Sequence, residues 1–194
     1  MKTRMLPLFV ATALAVGLVS ASQAGEIPYK ASYEGTVLDT AHDVIPDPYA
    51  PGPLYADVVR AQSSGTYGQS DTVIVTEFAL SPFQGTCDNP DDLRMLVGYS
   101  KAVVTYSKGD QLYLSTPAFD EGNPEGAGYL CLNMGTGDFE GLALGTFVGG
   151  TGRFENASGE WQSRFSGRNL TVTVPLPFGF SSIHGLTSGT LELN

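Results

Sequence analysis

Phe147–Trp161 reads FVGGTGRFENASGEW. A β-rich run ends in Gly149-Gly150-Thr151-Gly152, an Arg153-Phe154 pair follows, and a second β-like run begins near Gly159. Glycines at such a junction permit positive φ and a close approach between strands. A tight, glycine-built strand connection accounts for that order. A phosphate cradle does not, because such cradles lead into a helix whose N-terminus faces the anion. Here Asn156, Ser158 and Gly159 read as a turn into a strand. Arg153 is expected to pack or ion-pair locally.

The same β pattern extends in both directions. Ala31–Leu38, Thr72–Leu80, Val97–Tyr106, Gln111–Ser115 and Gly128–Met134 precede the connection. Gly141–Val148 and Gly159–Phe165 flank it, and Asn169–Val174 and Gly189–Leu193 follow. Short-period apolar residues, threonines and aromatics in these runs argue for strands, and no helix pattern stands out. Asn169–Val174 alternates, with Leu170, Val172 and Val174 on one face. Lys108-Gly109-Asp110 reads as a hairpin turn. Asp43–Pro53, with four prolines, is too rigid for a central strand, and Phe119–Gly128 is an acidic, glycine-rich loop. Pro175–Phe180 is an apolar turn suited to capping a barrel end. Roughly eight or more strands at turn-punctuated spacing predict an all-β barrel or sandwich. An eight-stranded antiparallel barrel is favoured, since closure removes sticky edges.

Residues 1–24 have the pattern of a signal peptide. Lys2 and Arg4 form a basic start, Leu6–Val19 is mostly apolar, and Ser22-Gln23-Ala24 supplies small residues for cleavage. The apolar run is short for a membrane span. The expected mature chain, residues 25–194, is one domain without a membrane span, secreted or periplasmic. Removing Lys2 and Arg4 takes the formal charge from −10 to −12. Such acidity repels phosphate backbones and argues against a nucleic-acid partner. In an exported chain the two cysteines, Cys87 and Cys131, are expected to form one disulfide. Neither His42 nor His184 has ligand spacing to a cysteine, so no metal site is expected there.

Gly149-Gly150-Thr151-Gly152-Arg153-Phe154, followed by Ala157-Ser158-Gly159, resembles the recurrent signature of the allene oxide cyclase and dirigent barrel group. Phe139-Glu140-Gly141 and Gly145-Thr146-Phe147 resemble that group's glycine-spaced approach strand. The whole looks like a bacterial, exported member. The resemblance implies an eight-stranded antiparallel barrel, often oligomeric, with an apolar cavity at one end and no bound cofactor. Characterised plant members close a ring of a fatty-acid epoxide or direct phenoxy-radical coupling. Their catalytic motifs do not carry over. Where dirigent proteins have a His-Asp-Ile step, this chain has Tyr33-Glu34-Gly35-Thr36-Val37-Leu38-Asp39, with no His before Asp39.

Asp39, His42 and Asp43 form the compact polar constellation near the expected barrel mouth. A carboxylate beside apolar strand residues can act as acid or base, and a histidine can shuttle protons near neutral pH. Asp39 and His42 are therefore the candidate catalytic pair, against the alternative of a solvated loop. Asp39, Asp43, Asp47 and Asp57 lack the spacing of a calcium loop. Glu77, in an otherwise apolar strand, is expected to face the lumen or to pair with Arg94 or Lys101. Three functions remain open: a carrier of a small apolar or aromatic molecule, a cofactor-free isomerase or cyclase, and an interaction barrel filled by its own side chains.

Overall fold

A computed structural model describes residues 25–39, 49–50, 54–80, 87–120, 122–123, 126–170 and 180–193, with Asp39 and Phe180 described in backbone only. The leader-like segment, His42 and most of the apolar turn at 175–180 lie outside the described residues. Nine strand segments follow one another: β1 (Glu26–Asp39), β2 (Leu54–Gly65), β3 (Gly68–Leu80), β4 (Leu93–Tyr106), β5 (Gln111–Ser115), β6 (Gly128–Leu132), β7 (Phe139–Gly150), β8 (Ser158–Arg168) and β9 (Phe180–Glu192). Among the described residues the helical content is one 3₁₀ turn, Gly152–Phe154.

The nine segments make a closed, eight-stranded antiparallel barrel. β3, β2, β1, β9, β8 and β7 are successive neighbours, and β4 pairs back onto β3. The remaining place, between β7 and β4, is shared by β5 and β6. β5 pairs with Lys101–Thr105 of β4, and β6 continues on Leu93–Leu96 in the same direction. Backbone bonds from Thr116 N–H to the Ser100 carbonyl and from Ala127 N–H to the Val97 carbonyl bring the two halves into line. The eighth strand is thus one strand interrupted by the excursion 117–126. Phe119, in that excursion, is buried against Leu54, Ala79 and Leu96 on the outer wall. Its ring lies where a Cβ of Gly98 would be, so the wall there must be glycine.

Strand alternation sets the lumen. In β1, Tyr29, Ala31, Tyr33 and Val37 are buried while Lys30, Ser32, Glu34 and Thr36 are exposed. Register carries the inward face to Asp57, Val59, Ala61 and Ser63 of β2, and to Ser181, Ile183, Gly185 and Thr187 of β9. Large rings inside a narrow barrel need small residues beside them. Tyr33 lies over Gly185, Phe165 over Gly141, Trp161 over Gly145 and Phe139 over Gly167, each ring filling the place of the missing Cβ. The glycine spacing of β7 therefore reflects ring packing across the wall.

The Phe147–Trp161 stretch forms a tight connection. β7 ends at Gly150, the 3₁₀ turn follows, and β8 starts at Ser158. Gly152 has φ of 59°, and the Asp110 carboxylate occupies the position of its Cβ. Three strand expectations change: β2 forms where the sequence pattern predicts no strand, β9 begins at Phe180 instead of Gly189, and β8 ends at Arg168, where Asn169 turns into a left-handed conformation with φ of 63°. Leu170 still packs in the core, as its place in the alternating run requires, but it does so after the turn. Residues 171–174 of that run lie outside the described residues.

Candidate functional site

The two ends of the barrel are built differently. At one end β2–β3, β4–β5 and β7–β8 are joined by short turns. Tyr29, Tyr67, Tyr106, Phe147 and Phe154 fill this end, in edge-on or tilted contacts with ring centroids 5.1–6.4 Å apart. The Arg153 guanidinium lies 5.0 Å from the Tyr67 ring, 4.9 Å from Tyr106 and 4.8 Å from Phe154. Its Nε is 3.3 Å from an Asp110 carboxylate oxygen, so Arg153 both packs and ion-pairs locally. Burial raises the phenol pKa of Tyr29 far above its ordinary value, and the neighbouring Tyr106 adds to the effect. Burial also raises Tyr67 and Tyr106, with Arg153 acting in the opposite direction on both. This end is shut.

At the other end three connections are long, 40–53, 81–92 and 169–179, beside the shorter 133–138. Between the ends lies a cavity of about 90 Å³. One water needs roughly 10–15 Å³ on that measure, whereas drug-sized ligands occupy pockets of about 300–1,000 Å³. The lumen therefore has room for a compact guest. Its wall is mostly apolar, with Val37, Val59, Ile74, Phe78, Leu130 and Phe165 among the lining.

The polar groups on that wall are few and ordered. Tyr33 Oη lies 3.1 Å from Ser163 Oγ, and Thr187 Oγ1 donates to Ser163 Oγ at 3.2 Å. Across the lumen Ser63 Oγ and Thr72 Oγ1 bond at 2.8 Å. These hydroxyls satisfy one another, which keeps a polar belt inside an apolar wall tolerable. Burial raises the Tyr33 phenol pKa, with the Ser163 hydrogen bond opposing, so Tyr33 stays protonated at neutral pH. Asp57 stands apart as a carboxylate on the cavity wall, only 6 % exposed and held within a set of interactions. Ser181, 3 % exposed, is on the inward face of β9, and its Oγ has no hydrogen-bond partner among the described residues.

Asp39 ends β1 directly opposite Asp57 in the β1–β2 register. The expected constellation of Asp39 with His42 cannot be followed further, since His42 and Asp43 lie outside the described residues. Glu77 is half-buried at the β3 bulge between Thr76 and Phe78 and does not line the cavity. Arg94 and Lys101 lie over the rings of Tyr129 and Tyr99, at 5.6 and 5.4 Å from their centroids. His184 is exposed on β9, 2.9 Å from Ser166 Oγ on the outer wall. Cys87 and Cys131 form a disulfide with Cα atoms 5.8 Å apart, tying the segment before β4 to the half-strand β6. Among the described residues no group of three or more His, Cys, Asp or Glu side chains could hold a metal ion. No helix among them is long and apolar enough to cross a membrane.

Sequence reading passed over Asp57 as a lumen residue. The signal available was the period-two face Asp57, Val59, Ala61, Ser63, which only a strand at 54–65 makes visible. Comparison with protein-family models, with curated proteins and with solved structures finds no match.

Proposed function

We propose that this protein is an exported barrel of the allene oxide cyclase and dirigent type that holds a small apolar or aromatic molecule in its lumen. The observation that carries this reading is the 90 Å³ cavity, with its mostly apolar wall and its few ordered polar groups. Binding cavities for small molecules have this composition. The disulfide fits an oxidising compartment and so supports export. The glycine-rich connection at 149–152 and its Arg-Phe step support the family placement.

A cofactor-free isomerase or cyclase is the second reading. Asp57 favours it, as a buried carboxylate on the lumen wall can serve as acid or base. Volume weighs against a long-chain epoxide as its substrate, because such a molecule needs a pocket nearer the drug-sized range.

Native mass spectrometry of the protein taken from its own host tests the carrier reading. The expected result is a mass excess that disappears on unfolding and belongs to one small molecule. Protein of apo mass throughout, with a lumen that takes up no small apolar probe, overturns it. Asp57→Asn separates carrier from cyclase. A cyclase loses turnover and keeps its ligand, whereas a carrier has no turnover to lose.

A further inference from the structure

We propose that the lumen takes a compact carbonyl compound, with its oxygen accepting the Tyr33 phenol proton and its alkyl body against the apolar wall. This deepens the carrier reading and rests on it. Tyr33, Ser163 and Thr187 all line the cavity. Each of the three hydroxyls carries one proton. Among the described residues two hydrogen bonds join them, Tyr33 Oη with Ser163 Oγ and Thr187 Oγ1 with Ser163 Oγ. One proton is therefore left over, whichever way the Tyr33–Ser163 bond points. Thr187 is the donor in its bond, so Ser163 can give its own proton to Tyr33. The chain then runs from Thr187 through Ser163 to Tyr33, each bond polarising the next, and ends on the phenol. A phenol is a stronger donor than an alkyl hydroxyl, and burial keeps this one protonated. The Ser63–Thr72 pair also has a surplus proton, since one bond joins two hydroxyls there. That proton belongs to an alkyl hydroxyl at the end of a shorter chain, so it is the weaker donor.

The strands leave space beside the phenol. Ala143 of β7 pairs with Ser163, Ser163 with Thr187, and Thr187 with Ala31 of β1. Ala, Ser, Thr and Ala thus form one row across four neighbouring strands, and all four line the cavity. Tyr33 leans from β1 over Gly185 of β9 to reach Ser163 on β8, which brings its hydroxyl to that row.

A surplus donor in a mostly apolar hollow is costly until an acceptor arrives. A carbonyl oxygen accepts at two lone pairs and adds no proton of its own. A water would bring two further protons and needs two to four polar partners. The alkyl arms of a carbonyl guest instead meet apolar side chains such as Ile74, Leu130 and Phe165. The cavity of about 90 Å³ limits those arms to a few carbon atoms.

Four probes test this on the full mature protein: acetone, its hydrocarbon isostere isobutene, isopropanol and xenon. Uptake is read from the methyl NMR signals of Ala31 and Ala143 on the cavity wall. The hydrogen bond is read from the acetone carbonyl carbon resonance, which moves downfield when the oxygen accepts a proton donor. Bound acetone is expected downfield of acetone in hexane and is expected to bind more tightly than isopropanol. Tyr33→Phe is expected to lower acetone affinity at least threefold and to return the resonance towards its hexane position, with isobutene binding no weaker. Ser163→Ala keeps the phenol proton, so acetone should stay bound with its downfield resonance. Xenon uptake shows that each variant retains its folded lumen. A bound carbonyl resonance at its hexane position, or one unmoved by Tyr33→Phe, overturns the carbonyl assignment. So does isopropanol binding as tightly as acetone, or uptake of isobutene and xenon without acetone, and in each case the carrier reading stands. No shift from any probe, xenon included, overturns the carrier reading itself.

Discussion

The short-turn end and the long-loop end of this barrel solve opposite problems. The first is packed to exclusion, with Phe154 fully buried among Tyr67, Tyr106 and the Arg153 guanidinium. The second carries the buried carboxylate of Asp57 and the unpaired hydroxyl of Ser181, and it is fastened by a covalent bond. Noncovalent packing closes one end. At the other, a hollow with polar groups gives up packing energy, and the Cys87–Cys131 bridge offsets part of that loss. The contrast separates what holds the barrel shut from what leaves it able to take a guest.

The largest expected effects are two losses of similar size with different signatures. Phe154→Ala removes a fully buried ring at the shut end, and such truncations cost about 3–5 kcal/mol. Replacing Cys87 and Cys131 together by Ser opens a loop with a sequence separation of 44, worth roughly 4 kcal/mol in the chain-entropy model. Denaturant melts with and without reductant distinguish them. Reductant should lower the wild-type midpoint to that of the double variant and leave the double variant unmoved. Equal sensitivity of both proteins to reductant would contradict the proposed division of labour.

Gly185→Ala comes next. The Tyr33 ring occupies the place of the new methyl, and Tyr33 is held to Ser163. Overpacking of this kind costs about 1–3 kcal/mol. The ring must move into the lumen, so xenon uptake should fall with stability. A Gly185→Ala protein of lower stability and unchanged uptake would place the displaced ring elsewhere.

Alkaline pH probes the shut end with a smaller, graded effect. Tyr29, Tyr67 and Tyr106 all have raised phenol pKa values, with burial the first cause in each. In the unfolded chain tyrosines titrate near pH 10. Above that pH the unfolded state releases protons that the folded state keeps, so stability present below pH 10 is lost as pH rises. For Tyr29 alone the slope is about 1.4 kcal/mol per pH unit. Tyr29→Phe should flatten the fall of the melting midpoint above pH 10, and an unchanged slope would argue that the phenol is not buried.

Legibility in the sequence follows the same division. The shut end was readable, since turns such as Lys108-Gly109-Asp110 and the 149–152 glycines have conformational requirements that few residues meet. β5 begins and ends where its apolar run does, Gln111–Ser115. The hollow was much less readable. β2 and the first half of β9 lie beside it, and besides Val59 and Ile183 their inward residues are the small or polar Asp57, Ala61 and Ser63, and Ser181, Gly185 and Thr187. A strand that faces empty space has no need of bulky apolar side chains, so its hydrophobic alternation is weak. Asp39 was placed correctly at the end of the first strand, yet the carboxylate on the described wall belongs to its cross-strand partner. Neighbours across a sheet are set by register, which the sequence around Asp39 does not contain. The interruption of the eighth strand was hidden for a related reason, because its two halves are adjacent only through β4 and β7.

The smallest expected effect is the most discriminating. Each end has one buried hydroxyl without a partner among the described residues, Tyr67 Oη and Ser181 Oγ. Removing such a group should leave stability unchanged or raise it by up to about 1 kcal/mol. Tyr67→Phe keeps the ring that Arg153 packs on, so it should gain stability with no change in probe binding. Ser181→Ala should gain stability to a similar degree and, at the hollow end, also raise xenon uptake. If the two substitutions behave alike in both measurements, the Ser181 hydroxyl is a packing accident of the same kind as the tyrosine's. A change of xenon uptake confined to Ser181→Ala would instead mark its hydroxyl as part of the hollow.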